Sequence, residues 1–171
     1  MATELRLRPL RDQDHDAALA AHAALALDHF GFLLGYTQDE PWDGYVQRLE
    51  EQRRGLNVPP KWVPNTFLVA VVGPELVGRV SIRHQLNEYL ASYGGHIGYG
   101  VVPEHRRRGY ATEILRQALV IARSVEVDRV LITCDDDNIA SAAVIERCGG
   151  IFDSLVDLPD DPTPKRRYWI P

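Results

Sequence analysis

The stretch Val101 to Thr112, VVPEHRRRGYAT, gathers the residue types that hold phosphate. A β-type apolar run stops at Pro103, three arginines and a glycine follow, and an amphipathic helix begins. The first backbone N–H groups of a helix have no intrahelical partner, and the helix dipole adds partial positive charge there, so such a turn is ready for an anion. Glycine at position 109 removes the side chain that would keep a pyrophosphate away from those amides. Arg106, Arg107 and Arg108 can add charge-assisted contacts. The chemistry suits a di- or triphosphorylated cofactor. No GxxxxGK[ST] loop occurs, and Arg106 to Ala111 holds one glycine, so neither common nucleotide-binding signature is present. On spacing alone, a solvated basic helix start is the competing reading.

The elements that must position this turn can be read from periodicity. Glu4 to Arg8 alternates as a strand, and Asp12 offers an N-cap for a helix from Gln13 to Phe30 with Leu19, Ala23, Ala26 and Phe30 on one stripe. Pro41 opens a second helix through Arg54, with Trp42, Tyr45, Val46 and Leu49 at helical spacing. The runs TFLVAVV and LVGRVSI, joined at Gly73-Pro74-Glu75, read as a β-hairpin. His84 to Gly95 reads as a strand end plus a loop, and His96 to Val102 as a fourth strand whose Gly98 and Gly100 mark close approach of something to the backbone. A helix from Gly109 to Val125 buries Ile114, Leu115, Ala118, Leu119 and Ala122, and Arg129 to Cys134 forms a fifth strand. Asp135 to Asn138 caps a helix through Cys148, and Ile151 to Asp157 with Arg166 to Ile170 makes a last antiparallel pair. With 171 residues and 45% hydrophobic content, the chain is long enough for one domain over residues 1–171 with a sizeable core.

With these elements in order, RRRGYA resembles the [RQ]-x-x-G-x-[GA] acyl-CoA-binding motif of the GNAT superfamily of N-acetyltransferases. GYGVVPEHR in front of it is similar to that superfamily's fourth strand and turn, and Asn138 with Ser141 resembles its N-x-x-[AS] helix start. The resemblance spans nearly the whole chain and points to a poorly characterised bacterial-type branch. It implies an α/β (α+β) fold: a mixed, mostly antiparallel seven-stranded sheet, flanked by about four helices and splayed between parallel fourth and fifth strands. It also implies acetyl-CoA as donor substrate, with no metal. Backbone groups of Tyr99, Val101 and Val102 would meet the pantetheine arm and acetyl carbonyl. The turn Arg106, Arg107, Arg108, Gly109, Tyr110, Ala111 and Thr112 would take the pyrophosphate, and Asn138 and Ser141 would approach from the fifth-strand side.

The implied activity is transfer of an acetyl group to a primary amine, direct and within a ternary complex, with a non-catalytic acyl-CoA sensor as the alternative. Such transfer needs a neutral amine, support for a tetrahedral oxyanion and a proton for the departing thiolate. In many superfamily members a tyrosine after the fifth strand supplies that proton. Counting from Asn138, the matching residue is Ile145, which has none to give. The catalytic candidates are therefore His96, as the amine-side base, and Tyr99, with His84, Cys134 and Asp135 as further candidates.

Other features bound the rest. His15, His22 and His29 recur every seven residues, about 10.5 Å along a helix, too far apart to share a metal ion. Cys134 and Cys148 read as free thiols. The net charge of −5 argues against a nucleic-acid-binding protein, and no run is long and apolar enough for a membrane span or a signal peptide, so a cytoplasmic location is expected. The acceptor is expected to be a small-molecule or peptide amine. Asp39, Glu40 and Asp43, with Asp157, Asp160 and Asp161, can draw in a cationic one. A homodimer is left open.

Overall fold

A computed structural model describes residues 4–171. The order of elements is β1 (Leu5–Arg8), α1 (His15–Ala26), α2 (Trp42–Arg53), β2 (Asn65–Val72), β3 (Glu75–Arg83), β4 (Ile97–Val101), α3 (Tyr110–Ser124), β5 (Val130–Asp135), α4 (Ile139–Arg147), β6 (Ile151–Leu158) and β7 (Asp161–Ile170). Two short 3-10 turns and one π turn, Leu90–Gly94, complete the helical content of these residues.

The strands form two antiparallel sheets, ordered β1-β2-β3-β4 and β5-β7-β6. The single seven-stranded sheet expected from the resemblance is thus divided four and three, because no ladder joins β4 to β5. The sheets meet where the His96 N–H donates to the Leu131 carbonyl at 2.7 Å. The β6–β7 hairpin turns tightly, with Leu158 opposite Asp161, so most of the expected loop between residues 157 and 165 is strand. Pro162 and Pro164 hide it in the sequence, since they sit where the register shifts between Val156 and Leu158 and ladder N–H groups are not required.

Strand β2 separates two hydrophobic clusters by its period of two. Leu68 and Ala70 face a core with Val80, Ile82, Ile97, the buried face of α3, Ile132, Ile145 and Tyr168. Phe67, Val69 and Val71 face a second core with α1, α2, Phe32 and Leu33. Both faces are covered, which is why TFLVAVV is continuously apolar rather than alternating. The five residues expected on the inner face of α3 are all buried. For α1 the buried residues are Ala18, Ala21 and Leu25, not the predicted stripe. An Ala/Leu-rich helix carries little contrast between its faces, so its orientation is set by what it packs against. Asp14, at its start, accepts two hydrogen bonds from Arg8 at 2.7 and 2.8 Å instead of capping the helix. The helix also stops early: His29 turns left-handed at φ +57°, and Phe30 returns its N–H to Leu25 at 3.0 Å.

Candidate active site

The predicted phosphate turn is built from β4 onward. Pro103–His105 makes a 3-10 turn, Arg107 and Gly109 are left-handed at φ +62° and +80°, and the first helical bond of α3 runs from the Glu113 N–H to the Gly109 carbonyl. The amides of residues 107–112 accordingly have no backbone acceptor among the described residues. Arg107 and Arg108 are exposed beside them. Arg106 does a different job. Its Nε donates to the Val101 carbonyl at 3.2 Å and its Nη2 to Asp28 at 2.7 Å, so it ties the turn to β4 and to the end of α1.

The ladder fixes which backbone groups of β4 are free. The Arg83 N–H reaches the His96 carbonyl and the Val102 N–H reaches Val77, so the hydrogen-bonded positions of the β3–β4 ladder are His96, Gly98, Gly100 and Val102. The backbone groups of Ile97, Tyr99 and Val101 therefore point away from β3, along the edge that faces β5. Val102 spends its N–H inside the sheet. Gly100 has no room for a side chain, since a Cβ would lie 2.6 Å from the Phe30 ring.

Across this edge, the Tyr99 hydroxyl meets Ser141 Oγ at 2.9 Å, and the Ser141 N–H donates to the Asn138 side chain at 3.1 Å, which caps α4. Tyr99, Ser141 and Asn138 thus form one hydrogen-bonded chain. Burial pushes the Tyr99 hydroxyl up to about 12 and keeps it protonated through neutral pH. Cys134 lies in the same core with its thiol pushed up to about 11, again by burial. Ile145 is fully buried and takes no part in a polar network.

The other candidates are placed elsewhere or already engaged. His96 is buried, and its Nδ1 accepts the Leu131 N–H at 2.9 Å. A neutral imidazole has one lone pair, so this bond leaves none for an incoming amine. Burial, with Arg83 nearby, holds the ring below its ordinary pKa. His84 is bonded to Thr66 of β2 at 2.7 Å, and Asp135 is ion-paired with Lys165. Of the acids expected to attract a cation, Glu40 is held by Arg48 at 2.7 Å and Asp161 lies 3.6 Å from Lys165. The His15–His22–His29 row is not a shared site either, since His22 accepts the Leu33 N–H at 3.1 Å while His15 bonds Asp16 at 2.9 Å. Among the described residues, no group of three or more His, Cys, Asp or Glu could hold a metal ion, and no helix is long and apolar enough to cross a membrane.

Sequence reasoning missed two arginines of β3, Arg79, which is buried, and Arg83, which is half-buried. Arg79 is enclosed and donates to the carbonyls of Phe32, Gly98 and Gly31 at 3.1, 3.1 and 2.6 Å, under the Phe30 ring. Burial, then Arg83, lowers it to about 9. The available signal was an arginine inside the apolar run LVGRVSI.

His96 gives a testable pH dependence. Its folded pKa is lowered, as is that of His84, so near neutral pH both rings are uncharged whether the chain is folded or unfolded. Below about pH 6.5 the unfolded chain takes up protons first and stability is lost. Tm should fall between pH 7.5 and 5.5. In His96→Asn, whose side-chain oxygen can accept the Leu131 N–H, that fall should be smaller. Equal Tm at the two pH values in the wild type would contradict this account.

Two antiparallel sheets, with a strand edge open between them that leads into an amide-lined helix start, define an α/β protein. The chain belongs to the acetyltransferase (GNAT) domain family, whose match covers residues 4–151, and it is a GNAT-type N-acetyltransferase domain. It is similar in fold to RimJ from Mycobacterium smegmatis in complex with CoA-disulfide, with 21% identity, TM-score 0.69, and coverage of 97% of this chain and 81% of that one. It is also similar to yncA from Salmonella typhimurium, solved with acetyl-CoA, at 13% identity and TM-score 0.65 over 97% of this chain and 92% of that one. A third similar structure, the Salmonella typhimurium acetyl transferase that modifies the N-terminal serine of ribosomal protein L7/L12, has 20% identity and TM-score 0.68, with 98% and 95% covered. No curated protein sequence matches the chain.

Proposed function

We propose that one domain over residues 1–171 moves an acetyl group from acetyl-CoA to a primary amine by direct transfer in a ternary complex. The observation that carries this is the free edge of β4, where the Tyr99 backbone groups and the Val101 N–H lead into the open amides of residues 107–112. Strands β4 and β5 both run on from the His96–Leu131 contact. In this reading they run parallel and splay, and the pantetheine arm lies in the slot between them. The Tyr99 N–H polarises the thioester carbonyl, the amides of Arg107, Arg108, Gly109, Tyr110, Ala111 and Thr112 take the pyrophosphate, and Asn138 and Ser141 form the opposite wall. Val102 shapes the strand end through its buried side chain, and Arg106 holds the turn.

The amine nitrogen attacks the carbonyl carbon, the C–S bond breaks, the sulfur leaves as thiolate and takes a hydroxyl proton, and the proton lost by the amine passes to solvent water, which in turn restores the hydroxyl. Tyr99 and Ser141 have two hydroxyl protons between them and use one in their mutual bond, so one O–H remains to donate to the departing sulfur. We assign His96 to positioning: it closes the two sheets together at the foot of the slot.

Acetyl-CoA should raise Tm, and free thiol should appear in proportion to added amine. Absence of stabilisation by acetyl-CoA would sink the reading. Stabilisation without thiol release for any amine would instead favour the sensor, which Ile145 in the place of the family's tyrosine supports. Gly109→Ala should raise KM for acetyl-CoA about tenfold with little change in kcat, because a left-handed alanine costs about 1–2 kcal/mol and the turn relieves that strain by leaving the conformation that holds its amides open. A clash is not involved, as nothing lies within 4 Å of that Cβ position. An unchanged KM would remove the turn from cofactor binding.

A further inference from the structure

On the α1/α2 side of the first sheet, against β2 and the end of β3, lies a cavity of about 180 Å³. It is far smaller than the roughly 300–1,000 Å³ of drug-sized sites. Its charged lining is Arg83 from the end of β3 and Lys61 from the loop before β2, and no acid lines it. Arg83 is the informative residue. Its Nη1 donates to the carbonyls of Gly94 and Gly95 at 3.2 and 3.4 Å, while Nε and Nη2 have no protein acceptor among the described residues, and no carboxylate pairs with it there. Nε and Nη2 form the side-on fork that accepts a carboxylate by two parallel hydrogen bonds.

The guanidinium lies over Gly98: a Cβ there would stand 3.4 Å from Nη1 and 3.5 Å from Nη2. The fork is therefore next to the strand whose free edge is proposed to hold the acetyl group, and on the opposite face from the core in which Tyr99 packs. Behind it is Arg79, a fully buried guanidinium whose acceptors are all carbonyls. Arg79 is buried and Arg83 half-buried, the two have no carboxylate between them, and an anionic group entering the cavity offsets their mutual repulsion. Leu34, Val63 and Leu90 supply apolar wall, and the rings of Trp62 and Tyr89 stand partly exposed at the rim.

We propose that this cavity is the acceptor subsite and that it selects small amino acids with an apolar side chain, whose carboxylate is taken by the Nε/Nη2 fork of Arg83 while the amine faces the free edge of β4. The assignment rests on the acetyltransferase reading and names its substrate class. It reverses the cationic acceptor expected from the acidic residues, none of which reaches the cavity.

The test separates the two claims by measuring binding apart from turnover. In the presence of CoA, calorimetric titration compares N-acetyl-L-phenylalanine with N-acetyl-L-phenylalaninamide, and the methionine pair likewise. The acid should bind at least tenfold more tightly than its amide in one pair or both. In Arg83→Gln the preference should shrink to within threefold, with stabilisation by acetyl-CoA retained as proof of folding. Lys61→Ala, at an exposed loop position, should weaken the acid two- to fivefold and leave the amide unchanged. Equal binding of acid and amide in the wild type, or an undiminished preference in folded Arg83→Gln, would overturn the proposal. Thiol release from acetyl-CoA is then followed with phenylalanine, methionine, their amides and spermidine. Turnover of amides or spermidine with the acids inert leaves the acetyltransferase standing and overturns this subsite. Selective binding of the acids with no turnover of any amine supports the subsite and overturns the transfer reaction.

Discussion

Replacing Gly95 by alanine is expected to lower Tm by about 6–12 °C and to weaken acetyl-CoA binding with it. Gly95 sits at φ +66°, ψ −173°, a region essentially closed to residues with a side chain. A Cβ there would also lie 2.6 Å from the Leu131 carbonyl and 3.3 Å from the Cα of Ile132. Strain of this kind costs about 1–3 kcal/mol, and displacing β5 adds to it, for a total of roughly 3 kcal/mol. In a chain of this size each kcal/mol moves Tm by about 2–4 °C. The carbonyl that must move is the one receiving the His96 N–H, so the damage falls on the junction between the sheets. Gly149→Ala is the matched control. That residue is also left-handed, at φ +94°, but nothing lies within 4 Å of its Cβ position, so only about 1 kcal/mol is expected. Calorimetry on the two variants separates strain from collision, and equal losses would show that the Leu131 contact matters little.

Tyr99→Phe is expected to reduce kcat about a hundredfold, the low end of what a positioned proton donor supplies. The ring stays in its core, while the hydroxyl that meets Ser141 is lost. KM for acetyl-CoA should change little, since the backbone of residue 99 is untouched. Ser141→Ala should cost less than tenfold, because the Tyr99 O–H is then free to turn to the sulfur. Tyr99 titrates only near 12, so it remains a donor at all working pH values and contributes no limb to the rate profile below about pH 10. The rising limb with pH should be that of the amine losing its own proton. A loss under fivefold in Tyr99→Phe would take the hydroxyl out of the reaction.

Much of this arrangement was legible in the sequence where local physics and tertiary context agree. The α3 face was clear because its apolar residues repeat at helical spacing and are then buried as a group. The turn was clear because Gly109 and the arginines are local signals. The division into two sheets was not, since strand pairing across the β4–β5 gap depends on Gly95 and His96 bending the chain, and no periodicity records that. Strand β7 was hidden by its prolines and the orientation of α1 by its uniform composition. His96 was read as a base because its type suits one. The structure gives its lone pair to Leu131, a partner 35 residues away in sequence. Arg79 and Arg83 escaped notice because charge in a strand usually means a solvated face, whereas these guanidiniums are satisfied by, or turned toward, carbonyls of distant loops.

The position of the open strand edge also governs how the protein avoids sticking to itself. Unpaired N–H and C=O groups at the rim of a sheet invite another chain to add a strand. In β4 the unpaired edge is interior, flanked by β5 and α4, and its last carbonyl is already occupied by Arg106. The rim of the second sheet is β6, where Ile151, Phe152 and Leu155 are exposed. There the charges of Asp153 and Asp157 interrupt the apolar run, as gatekeeper residues do in aggregation-prone strands. Neutralising those two aspartates, and not widening the gap between β4 and β5, is the change that would turn this molecule toward fibrous association.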